Sequence, residues 1–169
     1  MTFIGRSLRL ASILAIAALT VTGPAMAAGE NKVVGTWRIV KGVINPGTDN
    51  VLPYGPDPRG MLVFTPDMHF IEVLHDPRVP KFAVNARDKG TAEENAAAMA
   101  GAIAFYGTYT VDANGEFSGN TVLGSTFPNW IGEVRTTERL RLVVEGDKVM
   151  ETFTRPEGLK VVIEWERVE

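Results

Sequence analysis

Residues 33–40 read VVGTWRIV, a β-branched run in which Trp37 and Ile39 fall on the same side of an extended chain. Continued to Ile44, with Val43 on the expected covered side, this is the period-two pattern of a strand with one buried face. The far end of the chain answers it. Along Leu159 to Val168, the residues Leu159, Val161, Ile163 and Trp165 share one face. Two terminal strands, each carrying a tryptophan on its apolar side, predict chain ends that pair and bring Trp37 and Trp165 toward one closed bottom.

Between them the pattern is again mostly of strands. After the loop NPGTDNVLPYGPDPRG (45–60), Met61 to Phe64 and Met68 to His75 form a hairpin around Thr65-Pro66-Asp67, and residues 76–90 read as loop. Thr91 followed by Glu94 is a capping box, and ENAAAMAGAIA continues it with strong helix formers, so one helix is predicted near residues 91–103. Period two returns in Phe105–Val111, Glu116–Leu123, Val134–Val144 and Lys148–Thr154. Asn114-Gly115 is the strongest local hairpin signal. About eight antiparallel strands in a chain of this length can close into an up-and-down barrel, which removes exposed sheet edges and leaves room for one small ligand. The fold class expected is therefore mostly β, an eight-stranded antiparallel barrel with one helix. A two-sheet sandwich is the structural alternative.

The first residues stand apart. Arg6 and Arg9 precede the apolar run Leu10–Val21, and Ala25-Met26-Ala27 offers small residues for cleavage, so residues 1–27 are expected to be a signal peptide and 28–169 the mature domain. The apolar run is short for a membrane span, and no stable membrane anchor is expected after its removal. Cleavage leaves 142 residues (169 less 27) and takes the formal charge from −3 to −5 with the two arginines. The chain has no cysteine, hence no lipid-bearing thiol and no disulfide framework. An acidic balance without a basic stripe argues against nucleic acid as a partner. The expected location is periplasmic or secreted.

VVGTWRIV resembles the Gly-x-Trp opening of lipocalin-type barrels. Taken with YGPDPRGMLVFTPD, TAEENAAAMAGAIAFYGTYTVD and FPNWIG in that order, it is similar to the bacterial and fungal lipocalin-like domain family over nearly the whole mature chain. The resemblance implies a small calycin-type barrel and little specific chemistry. Members often carry histidines on the strand after the Asn-Gly-type turn, where this chain has Phe117-Ser118-Gly119-Asn120.

Candidate site residues come first from GSTFPNWIG (124–132). Pro128 fixes its own φ and biases Phe127 toward an extended conformation, so a stiff backbone holds Phe127 and Trp130 on either side of Asn129. A pocket wall is one reading and a plug at a barrel end the other. Tyr106 and Thr108 share a face of their strand, as Ser118 and Asn120 do on the next, so a regular hairpin would gather them into a polar patch of a small-molecule pocket, or else into a solvated outer face. Trp130 is expected near Tyr106 or Tyr109. Arg78, with Lys81, Arg87 and Lys89, could meet an anionic head group at a barrel mouth.

Other chemistries find less support. His69 and His75 sit ~20 Å apart on one strand at ~3.3 Å per residue, and no cysteine or third histidine completes a metal site. Ser118 and Ser125 lie in no nucleophile elbow. Among Asp57, Glu72, Glu138 and Glu151, Glu72 between Phe70 and Leu74 is the best placed to be buried, though solvent exposure is the ordinary fate of each. No cofactor is expected. The function expected is binding of a small hydrophobic or amphipathic molecule inside the barrel. The alternatives are a cofactor-independent cyclase or isomerase using the same pocket, or an envelope interaction module with a filled barrel.

Overall fold

The computed structural model describes residues 29–168; the expected signal peptide and its cleavage point lie outside the described residues. The strands are β1 (Gly35–Ile44), β2 (Arg59–Phe64), β3 (His69–His75), β4 (Ala102–Val111), β5 (Phe117–Ser125), β6 (Val134–Thr136), β7 (Leu140–Glu145), β8 (Lys148–Thr154) and β9 (Lys160–Arg167), with one helix, α1 (Ala92–Ala100). They form one antiparallel sheet in the order β6-β5-β4-β3-β2-β1-β9-β8-β7. Its edge strands approach each other, since β7 lies against β5 and β6, and the result is a nearly closed barrel.

The expected pairing of the chain ends holds: Trp37 lies opposite Arg167 and Ile39 opposite Trp165 in the β1–β9 ladder. Nine strands replace the expected eight because Val134–Val144 is not one strand. The chain turns after Thr136, whose carbonyl accepts from Arg139 N at 3.0 Å. β6 then belongs to β5, while β7 belongs to β8. The residues VRTTERL carry no breaker; what divides them is the corner at which the two sheet edges meet.

The core is continuous through the barrel. Trp37 and Trp165 are 0% and 1% exposed. At the end where β1 begins, Trp37 Nε1 donates to Val33 O at 2.9 Å, and the Arg167 guanidinium covers the indole 3.9 Å from its centre while donating to Val34 O. The segment before β1 crosses this end, bonding the β4–β5 hairpin through Gly29 N to Ala113 O and Lys32 N to Gly115 O. Phe64, Phe70, Tyr109 and Phe117 pack edge-on or tilted there, so that end is filled.

Two irregularities change which residues face inward. In β1 the register shifts between Ile39 and Lys41, and Gly42 then lies opposite the inward Ile163, with the Tyr54 ring of the β1–β2 loop beside it. Val43, expected beside Trp37 and Ile39, is buried outside the main core cluster. In the β4–β5 ladder the register shifts between Thr110 and Val111 of β4, opposite Gly119 of β5 with φ 153°.

The helix starts as read: Thr91 accepts from Glu94 N at 3.2 Å, and the Glu94 carboxylate accepts from Thr91 N at 2.8 Å. It ends earlier than expected, at Ala100, because Gly101 hands the chain directly to β4. None of its residues is buried. It rides on the barrel wall.

Candidate functional site

Opposite the filled end, a cleft of about 530 Å³ opens between the β1–β2 loop, the end of α1, the aromatic loop after β5 and the β8–β9 turn; Tyr54, Ile103, Phe127, Asn129, Trp130, Glu133 and Arg155 are among its lining residues. Pro128–Trp130 is a single 3-10 turn, with Trp130 N bonded to Phe127 O at 3.1 Å. Trp130 is half-buried and meets Phe105, Phe127 and Phe153 edge-on, at ring-centre distances of 5.3, 5.8 and 6.0 Å.

Below this ring cluster lies a feature that reading the strands by charge missed. Arg135 on β6 is 2% exposed. Its guanidinium carbon stands 4.5 Å from the Trp130 ring centre, 4.8 Å from Phe153 and 5.2 Å from Phe105. Three aromatic faces thus replace water around a charge that would otherwise be costly to bury. Nε donates to Glu133 Oε2 at 3.0 Å, but Nη2 has no acceptor.

Two carboxyls share this interior. Glu72 (β3) and Glu151 (β8) are 5% and 6% exposed, each on the inward face between apolar neighbours: Phe70 and Leu74 for one, Val149 and Phe153 for the other. Glu151 Oε2 accepts from Trp165 Nε1 at 2.9 Å. Burial, then the charge of Glu151, holds the Glu72 carboxyl well above the usual range, with Arg135 opposing. Burial lifts Glu151 to about 7 against the pull of the Trp165 hydrogen bond and Arg135. Burial and the charge of Glu72 also raise the Tyr54 hydroxyl, opposed by Arg155. Near neutral pH this interior therefore holds a permanent cation beside carboxyls that resist ionisation, and it can both donate and exchange protons.

The structure separates the remaining candidates. Phe127, Asn129 and Trp130 line the cleft. Asn120 faces inward, opposite Tyr109 on β4 and Arg135 on β6, with its Oδ1 buried and unpartnered. Tyr106 and Thr108 lie on the outside. Odd-numbered residues of β4 face the core, and Tyr106 is 54% exposed with its ring across Gly124. Ser118 and Asn120 do not share a face, because the irregularity at Gly119 flips the alternation: the Ser118 hydroxyl pairs outside with Thr110 at 2.7 Å. Trp130 is accordingly near neither Tyr106 nor Tyr109; Tyr109 is at the filled end, its hydroxyl donating to Thr65 O. Arg78 abuts Gly55 beside the mouth, but Asp76 accepts from both Nε and Nη2, answering its charge.

Of the carboxylates weighed from sequence, Glu72 and Glu151 are inside, while Asp57 and Glu138 are exposed. The signal for Glu151 was present: it occupies the apolar phase of Val149 and Phe153. Nothing comparable marks Arg135, whose neighbours Val134 and Thr136 are exposed.

No curated protein matches the chain. Residues 34–165 match the family model described as a lipocalin-like domain, which spans every strand from the body of β1 to Trp165 of β9; with the nearly closed barrel and its paired ends, the chain belongs to the lipocalin-like domain family.

Proposed function

We propose that this protein is an exported carrier that takes up a small hydrophobic or amphipathic molecule in the cleft at the end of its barrel opposite Trp37. The observation that carries this reading is the cleft itself. Held aromatic rings, Phe127 and Trp130, wall a concavity of about 530 Å³, a volume suited to a small organic ligand and apolar with a few polar groups. Rings positioned in advance lose little conformational freedom on binding. Export rests on the sequence of residues 1–27.

The test is a titration with N-phenyl-1-naphthylamine, a neutral probe that fluoresces in apolar surroundings. Saturable binding with about one site, weakened in Trp130→Ala, is the expected result. No binding by the folded protein would remove the carrier reading and favour an interaction module.

A second reading draws on a different observation, the Glu72–Glu151 pair in a barrel that also holds Arg135. Buried carboxyls with raised proton affinity are suited to general acid and base steps near neutral pH. A cofactor-independent isomerase or cyclase would return its ligand chemically changed. Mass spectrometry of a captured native ligand before and after incubation separates it from a carrier, which releases the molecule intact.

A further inference from the structure

Several guanidinium nitrogens around the cleft lack an acceptor, and Asn120 Oδ1, on the residue opposite Arg135, lacks a donor. Three guanidinium groups have a nitrogen that is out of contact with solvent and without a hydrogen-bond partner: Arg135 Nη2, Arg139 Nη2 and Arg155 Nε. Arg155 lines the cleft. Arg139 stands with its guanidinium carbon 5.7 Å from the Phe153 ring centre and Nη2 3.8 Å from Glu133 Oε1, too long for a hydrogen bond. Arg135 is the deepest, its free Nη2 among Phe105, Trp130 and Phe153. Trp130 and Glu133, which touch Arg135, line the cleft, while Arg135 itself does not, so its guanidinium lies one side chain behind the cleft wall.

Resting on the carrier reading, we infer that the barrel selects amphiphiles with an anionic carboxylate head, which accepts from Arg135 Nη2 while the apolar body lies against Trp130 and Phe127. A guanidinium fork is matched to a carboxylate and gains most where water is excluded. The groups facing Arg135 decide against a cationic head. They are Glu133 with Arg139 beside it, Glu72 from β3, Asn120 from β5, Glu151 with Trp165 from β8 and β9, and Tyr54 with the Arg155–Glu157 pair toward the mouth. An ammonium would meet three guanidinium groups, and the carboxyls deepest in the barrel resist the ionisation that would pair with it. A carboxylate meets those cations and neutral carboxyls that can donate.

This arrangement has a pH signature. As pH rises through the range where Glu151 ionises, about 7, its own carboxylate competes for the field of Arg135. Affinity for an anionic head therefore falls from pH 6 to pH 8, and binding near pH 7 takes up protons.

The experiment displaces N-phenyl-1-naphthylamine with decanoate, decanol and decylamine at pH 6 and 8. At pH 6 decanoate is expected to compete at concentrations at least roughly tenfold below those of decanol, with decylamine weakest, and its advantage narrows at pH 8. In Arg135→Met the advantage disappears while the naphthylamine still binds, and Arg135→Lys keeps part of it. Should Arg135→Met fail to fold, the head-group ranking and the pH trend of the wild-type protein decide alone. Equal competition by decanoate and decanol, or preference for decylamine, overturns the inference and leaves the carrier reading standing. A folded protein that binds neither the naphthylamine nor decanol overturns both.

Discussion

The guanidinium of Arg135 lies 4.5 Å from the centre of the Trp130 ring, and both residues belong to one hydrogen-bonded neighbourhood through Glu133, which accepts from Arg135 Nε and whose amide donates to Trp130 O. The aromatic loop therefore does more than line the cleft. It roofs a buried cation.

Because Trp130 is half-buried and Trp37 is fully buried, the two tryptophans should separate in their effects. Trp37→Ala is expected to cost ~3–5 kcal/mol of stability by lost burial and a cavity. Trp130→Ala should cost less and weaken probe binding by ~1 kcal/mol or more. Urea unfolding and fluorescence titration of both variants check this; an unchanged melting transition in Trp37→Ala would contradict its placement.

Arg167 closes the filled end over Trp37 and bonds Val34 O. Arg167→Ala should lose about 1–2 kcal/mol through the stacked contact and the orphaned carbonyl, without changing affinity for a ligand at the opposite end. Denaturation midpoints and a binding titration on one sample measure both.

The raised Glu151 carboxyl makes stability depend on pH in a known direction. A folded-state value of about 7 against an ordinary 4.5 means the native state holds the proton more tightly. Its contribution is fully present below about 4.5 and is lost as pH rises to about 7, where it levels off. Glu72 acts in the same sense. Asp67, Asp76 and Asp112 are shifted down, so their contributions are lost only on acidification. Stability should therefore peak near pH 5 and decline toward pH 7, and Glu151→Gln should flatten that decline. Melting temperatures at pH 5, 6, 7 and 8 test it; a rise toward pH 7 would refute it.

Thr91 caps a helix that buries no residue. Thr91→Ala should cost about 1 kcal/mol locally, appearing as faster amide exchange in residues 92–100 with little change in the global transition.

The proposed signal peptide implies that exported material begins at Ala28, since Ala25 and Ala27 suit signal-peptidase cleavage. N-terminal sequencing of secreted material decides it, and a start at Met1 would sink the expectation.

The amino-acid pattern by itself determined the elements whose signal is local. Strand alternation, the Asn114-Gly115 hairpin and the Thr91–Glu94 cap depend on neighbours a few residues apart, and the two terminal strands were marked as partners by their like apolar faces, each carrying a tryptophan. The tight turn at Pro128–Trp130, with Phe127 extended before it, was legible for the same reason, since proline is a local constraint. Only the tertiary structure decided the rest. Barrel closure divided Val134–Val144 at Thr136, where no residue in that run resists a strand. The irregularity at Gly119 turned Asn120 inward and left Ser118 outside, reversing an assignment that depends on uninterrupted alternation. Arg135 is buried because Phe105, Trp130 and Phe153 converge on it from three separate segments. A charge can leave water only where such distant groups replace its hydration, and no stretch of sequence contains that arrangement.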